Sequence, residues 1–401
     1  MKKSDLLKTG WLIDGSGGRI KKDMLLHIEN GFIKNINKIN SSDLSNRKVL
    51  DFSDCSMIPC LVDCHVHLFM SGTNNQKIRK NQINADFNDT KSTILQHINQ
   101  ALSHGVTGLR DGGDSQAHAL RYKTECFDYN EFPIDLRITG KAWRNHGRYG
   151  KLIGRTPMKN ETLANAIKND QSPIDHVKIV NSGLNSLINF GKETLPQFTL
   201  KEMKNAVKSA NHLGRKVMVH ANGKLPVNIA VESGCQSIEH GFFMGKENLQ
   251  KMSDKNIMWV PTACTMKAYS QYLNNSSIEK ETAEKNLEHQ LKQIFQAREI
   301  GVPIALGTDA GSLGVHHGSS VFEELKLFME AGFSVQEAVK CASLNGSRLL
   351  GIDNKTGVIE KGANASFIII NGTPLNLFNN IDSIKAVFIN GLKVKLFHEK
   401  F

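Results

Sequence analysis

The chain has 401 residues, 40% of them hydrophobic and 22% charged, which is long enough for a large catalytic domain with an appendage and balanced like a soluble globular protein. No apolar run approaches the ~20 residues that span a bilayer, and no apolar stretch follows the basic start Met1-Lys2-Lys3, so the expectation is a cytoplasmic protein with no membrane partner and no secretory signal. The formal net charge of +11 comes from lysines spread along the chain with no basic block and no interleaved aromatics, which argues against a nucleic-acid partner.

Residues 6–58 read as short strands separated by turns. Leu25-Leu26-His27-Ile28 leads into Asn30-Gly31, a hairpin signal, and then Phe32-Ile33. Residues 357–396 repeat the pattern, with Phe367-Ile368-Ile369-Ile370 before Asn371-Gly372 and Val387-Phe388-Ile389 before Asn390-Gly391. Two β-rich ends predict one small β-sandwich built from residues 1–58 and 353–401. The seven cysteines are scattered; Cys60 and Cys64 have no second spaced pair, so a zinc finger is not indicated and they read as small buried hydrophobes.

Between these ends, β-branched runs alternate with helical stretches, as parallel βα units require. Candidate strands fall at 57–64, 105–110, 133–139, 175–180, 215–220, 235–239, 257–261 and 302–308. Thr199-Leu200-Lys201-Glu202 is a capping box opening a helix with Leu200, Met203, Val207 and Ala210 on one face; Ser334-Val335-Gln336-Glu337 caps another. Leu287, Leu291, Ile294 and Phe295 mark a longer helix before the last strand. Eight strands with intervening helices predict an α/β fold, a (β/α)₈ TIM barrel over residues 59–352.

The chemistry gathers at the strand ends. The first strand ends Asp63-Cys64-His65-Val66-His67, and residues i and i+2 of a strand point to one side, so both imidazoles can reach one ion. The fourth carries Lys178, the fifth ends at His220, the sixth at Glu239-His240 and the eighth at Gly307-Thr308-Asp309. All lie at the carboxyl ends of candidate strands, the face on which barrel enzymes build their sites. Any one of them alone reads as an ordinary structural histidine, surface lysine or helix-capping aspartate; the convergence of six is what carries the inference.

With Met57 to His67, Gly105-Val106-Thr107, Arg110-Asp111, Ser237-Ile238-Glu239-His240-Gly241 and Gly307-Thr308-Asp309-Ala310-Gly311, the chain resembles the amidohydrolase superfamily along almost its whole length, in its prolidase-like and imidazolonepropionase-like branch. That resemblance implies two divalent metal ions, with His65, His67 and Asp309 on one and His220 and His240 on the other; imidazole and carboxylate ligands suit zinc, and would also accommodate manganese or iron. It also implies that CO₂ carboxylates Lys178 so that the side chain bridges the pair. A free ammonium beside two dications is disfavoured, whereas a carbamate offers each an anionic oxygen. The implied reaction is cleavage of an amide in a dipeptide or N-acyl amino acid by a hydroxide shared between the ions, with Asp309 moving the proton.

Substrate contacts are expected in Trp143-Arg144-Asn145-His146-Gly147-Arg148-Tyr149-Gly150-Lys151, a long, basic, glycine-punctuated loop after the third strand. His146, with Arg144 or Arg148, is expected to receive an anionic group such as an α-carboxylate, and His146 is also expected to assist catalysis. Asn222 follows His220 where relatives often carry His or Tyr, a departure that leaves substrates other than dipeptides open. Tyr269, Tyr272, His316 and His317 read equally as pocket or loop-packing residues. Alternatives are the same core acting on a cyclic or aryl amide or an ester, and, from another class, a non-catalytic scaffold. Relatives imply a homo-oligomer.

Overall fold

The computed structural model describes residues 4–39, 49–378 and 383–394; the remaining parts of the expected sandwich, at 1–3, 40–48, 379–382 and 395–401, lie outside the described residues. The strands in chain order are β1 (Ser4–Leu12), β2 (Lys21–Glu29), β3 (Phe32–Lys38), β4 (Val49–Pro59), β5 (Leu61–Val66), β6 (Val106–Asp111), β7 (Asp135–Ile138) and β8 (Ala142–Trp143). They continue with β9 (Gly154–Arg155), β10 (His176–Val180), β11 (Lys216–Ala221), β12 (Ser237–His240), β13 (Met258–Val260), β14 (Phe367–Asn371), β15 (Ile384–Ile389) and β16 (Leu392–Lys393).

Both termini join in one seven-stranded sheet of order β16-β15-β14-β4-β1-β2-β3. Asn30 and Gly31 at positive φ close the β2–β3 hairpin, and Asn390 and Gly391 do the same between β15 and β16. Asn371-Gly372 is different. Only Gly372 has positive φ, and its amide donates to the Asp54 carbonyl, so this pair ends β14 against β4 itself instead of turning a hairpin. Period-two alternation sorts the side chains. Met57, Phe367 and Ile369 pack with Leu7, Leu26 and Ile33 in a small core, while Ile58, Ile368 and Ile370 face the main core.

The main core is built on two parallel sheets, β5-β6-β7 and β13-β12-β11-β10-β8-β9. Apart from the short β8 and β9, which follow β7 without one, each strand of these sheets is separated from the next by at least one helix, among them Phe87–Ser103 and Leu200–His212, and the long helix Ile278–Ile300 follows β13. Both expected capping boxes form, and Met203, Val207 and Ala210 are buried while Leu200 is partly so. On the long helix Ile294 is buried, but Phe295 is 48% exposed.

Two differences from the expected strands bear on the site. The first predicted strand is two, β4 and β5, separated only by Cys60, whose amide donates to the Ser366 carbonyl. The eighth is not a regular strand. Residues 302–309 run extended between β13 and β5, tied by Ala305 N to Trp259 O (2.9 Å), Cys64 N to Leu306 O (2.9 Å) and Asp309 N to His65 O (2.7 Å), with an isolated bridge at Ile304. Gly307 and the positive φ of Asp309 break the ladder that a continuous strand would need. On the other side, Asp175 N donates to Ile138 O (2.9 Å), joining β7 to the start of β10.

Candidate active site

Side chains from the two parallel sheets and the 302–309 segment meet in one place. Lys178 Nζ on β10 lies 3.3 Å from His65 Nε2 on β5. Asp309 Oδ1 lies 3.7 Å from that nitrogen and 3.4 Å from His67 Nε2. His65, His67 and Asp309 offer ligand atoms all within 4.8 Å of one another. The His240 ring is centred 4.9 Å from that of His65 and 4.6 Å from that of His220. All six residues named for metal binding therefore border one cavity, of about 230 Å³.

Each imidazole is held from behind by an acceptor. His65 Nδ1 meets Glu239 Oε2 (2.9 Å), His67 Nδ1 the Gly113 carbonyl (2.8 Å), His240 Nδ1 the Thr262 hydroxyl (2.7 Å) and His220 Nε2 the Gly183 carbonyl (3.0 Å). With the ring proton on that nitrogen, the opposite one keeps its lone pair, so four lone pairs are presented to the cavity. Burial also keeps these rings neutral. It pushes His67 and His220 down to about 4 and His65 and His240 well below the ordinary histidine range, with the neighbouring positive charges acting in the same direction. Four neutral imidazoles, an amine and a carboxylate gathered around one cavity form a donor set that fits divalent cations.

Glu239 was given no role from sequence, yet it organises this centre. It is fully buried, and its other oxygen accepts from Arg110 (2.8 Å) and Ser237, while Arg110 Nε donates to the Cys64 carbonyl (2.7 Å). The spacing held the clue, since Ser237 and Glu239 share the strand face that looks inward. By the same alternation His240 would look away; a φ of 66° at the strand end turns it in. Asp309 has a φ of 61° and Thr262, the residue behind His240, 51°. Left-handed backbone at three non-glycine residues is the kind of strain that clusters at functional sites. Close approach matters too: a Cβ on Gly112 would lie 2.7 Å from His67 Cε1.

Burial lowers the Lys178 ammonium to about 8, so far more of it is neutral amine than in a solvated lysine, although the protonated form still predominates at pH 7. Asp309 is pushed up to about 7 by burial, with Lys178 opposing. Its second oxygen accepts from Ser312 Oγ (3.1 Å).

The walls above the centre are largely apolar, including Phe69, Leu152, Phe242 and Met266. Asn222 borders the cavity, but its side chain is committed to the backbone: Oδ1 accepts from Phe242 N (3.1 Å) and Nδ2 donates to Gly183 O (3.4 Å). Tyr269 lines the cavity, whereas Tyr272 is 46% exposed and packs beside Gly314. His317 is buried and stacks on His97 at 3.8 Å, and His316 N donates to Ser320 Oγ.

The basic loop lies differently from its expected place in the pocket. His146 is exposed, with Nε2 against the Pro157 carbonyl (2.9 Å); Arg144 donates to the carbonyls of Asn145 and Arg148, and Arg148 to that of Leu195. The cavity lining takes Tyr149 from this segment and, from a helix nothing in the sequence had marked, Arg79.

The amidohydrolase family profile matches residues 56–394, and the chain belongs to that family. Over 196 residues it is 30% identical to ochratoxinase from Aspergillus niger, a match covering 48% of this chain and 40% of the ochratoxinase, so it spans less than half of that relative. Imidazolonepropionase from Thermoplasma volcanium is 21% identical over 396 residues, covering 91% of this chain and 89% of that protein. Among solved structures, a Xaa-Pro dipeptidase with bound methionine superposes with a TM-score of 0.80 at 24% identity, covering 98% of this chain and 100% of that one. The A. niger ochratoxinase structure gives 0.78 at 21% identity, covering 98% and 96%. At these identities the likeness shows a shared fold. No described helix is long and apolar enough to cross a membrane.

Proposed function

We propose that the chain hydrolyses the amide bond of a small N-acyl amino acid or dipeptide bearing a free carboxylate, at a centre of two zinc ions. The observation that carries this reading is the meeting of four back-anchored imidazoles with Lys178 and Asp309 at the floor of one cavity. In this reading His65, His67 and Asp309 would hold one ion and His220 and His240 the other, and Lys178 would supply an anionic carbamate ligand once its neutral amine has added CO₂ and released a proton. We read the two parallel sheets and the 302–309 segment as one (β/α)₈ barrel of residues 59–352. The terminal sheet is then the sandwich domain of residues 1–58 and 353–401.

Bound ions would acidify a water and polarise the scissile carbonyl. The chain's own residues do the rest. Glu239, Thr262 and the Gly113 and Gly183 carbonyls fix the imidazole tautomers. Asp309, with one oxygen facing the histidines and the other steadied by Ser312, accepts the proton of the attacking water and returns it to the departing nitrogen. The apolar walls exclude bulk water and receive an apolar acyl or side-chain group. Similarity to an ochratoxinase and a Xaa-Pro dipeptidase accords with amide or peptide substrates.

The test is a screen of protein supplied with zinc and bicarbonate against dipeptides and N-acyl amino acids, alongside metal analysis. Turnover of at least one such amide, about two metal ions per chain, and loss of activity to chelators are expected. Metal-loaded protein that cleaves only cyclic amides or esters would move the assignment to that substrate class, and protein that binds no metal would end it.

A further inference from the structure

We propose that Arg79 is the receptor for the substrate's carboxylate, gripping it at the cavity wall while the scissile carbonyl lies over the histidine cluster. This rests on the reading of the site as a hydrolase of carboxylate-bearing amides and names the residue that selects them.

Arg79 lies on the helix Gln76–Asn84, which follows β5 and contains no buried residue. Its own side chain leaves that solvated face and reaches the cavity wall. Carbonyl groups fix it there. Nη1 donates to Ser71 O (2.9 Å) and Thr73 O (3.4 Å), and Nη2 to Gly311 O (3.2 Å). Those bonds engage one edge of the fork, so Nε–H and an Nη proton remain to donate. Among the described residues no carboxylate pairs with it within 4.0 Å. Its direct hydrogen-bond partners are all neutral carbonyls, and burial pulls the guanidinium below its ordinary range against the opposing influence of Tyr269 and Asp309, so an anion bonded directly to it would offset a cost the present neighbours leave. Asn185, whose side-chain nitrogen is buried without a partner, lines the same cavity and offers another donor.

The position suits the substrate. Gly311, which holds Nη2, is two residues beyond Asp309, and two residues of chain span at most about 7 Å. An α-carboxylate carbon sits three bonds, at most about 4 Å, from the scissile carbonyl carbon of an N-acyl amino acid, and a hydrogen bond of about 3 Å from a carboxylate oxygen to the guanidinium extends the reach to that order. The planar fork also matches a carboxylate in a way that an ammonium does not. Arg144 Nη1 and Arg148 Nη2 donate to loop carbonyls, and neither residue lines the cavity.

The experiment measures binding and turnover of N-benzoyl-L-phenylalanine and its carboxamide by zinc-loaded wild type, Arg79→Lys and Arg79→Gln. Wild type is expected to bind the acid roughly tenfold to a hundredfold more tightly than the carboxamide, the size of a lost charged hydrogen-bond pair. That ratio should fall to near one in Arg79→Gln and to an intermediate value in Arg79→Lys, which guards against misfolding of the glutamine variant. A wild type that does not prefer the acid, or an acid preference equal in all three proteins, overturns the role of Arg79. Turnover separates the two ideas. An Arg79-dependent preference without hydrolysis keeps the receptor and removes the hydrolase reading; hydrolysis with an Arg79-independent preference does the reverse.

Discussion

At the scale of single residues, the site depends on groups whose cost is accepted for their position. Asp309 in left-handed backbone brings its carboxylate under His65 and His67 while its amide still reaches back to the His65 carbonyl. Asparagine keeps that shape and one coordinating oxygen but cannot take a proton. Asp309→Asn is therefore expected to retain most of its metal and to lose nearly all turnover, which elemental analysis beside kcat will show; full activity would remove Asp309 from proton transfer. Glu239 tests the support behind the ligands. Glu239→Gln removes the anion shared by His65 and Arg110. Zinc affinity is expected to fall about 10- to 100-fold. Unfolding stability should fall by up to about 3–5 kcal/mol, because the Arg110 cation is left buried and unpaired. Metal titration and denaturant unfolding give the two numbers, and unchanged affinity would make Glu239 merely structural.

At the scale of elements, what was legible in the sequence followed backbone periodicity. His65 and His67 share a face because they are two apart on a strand, and Lys178, His220 and His240 were found because strand ends are marked by the β-branched runs before them. Capping boxes located two helices for the same local reason. The eighth segment was placed correctly but takes no regular ladder, since Gly307 and Asp309 prefer the conformation the site needs. Substrate contacts were poorly legible. Arg79 sits in a helix with no apolar stripe, so nothing local separates it from a solvated arginine, and the showy loop from Arg144 to Arg148 bonds mostly to backbone carbonyls. Two substitutions contrast these layers. Gly112→Ala puts a methyl into the His67 ring, and a drop in kcat/KM of more than tenfold is expected. Thr199→Ala removes a helix cap far from the metal ligands, and should cost about 1 kcal/mol of stability while leaving kcat alone. Equal kinetics for both variants would sink the distinction.

At the scale of the whole molecule, the ligands of the proposed centre come from β5, β10, β11, β12 and the segment after β13, so metal bound there would cross-link distant parts of the chain. Chelation should therefore lower the melting temperature as well as abolish activity. Free zinc at a hundredfold excess over its Kd is worth about 2.7 kcal/mol to the folded state. A calorimetric scan identical with and without chelator would contradict a shared centre.

The direct passage from β4 into β5 has a consequence of its own. Pro59 pairs with Phe367 and Cys60 hangs from Ser366, a few residues before the first histidine. The last strands thus act as the mounting bracket of an instrument they never touch. A cut or a pulling fusion that unseats β14 would first show as drift in metal retention, well before the protein came out of solution.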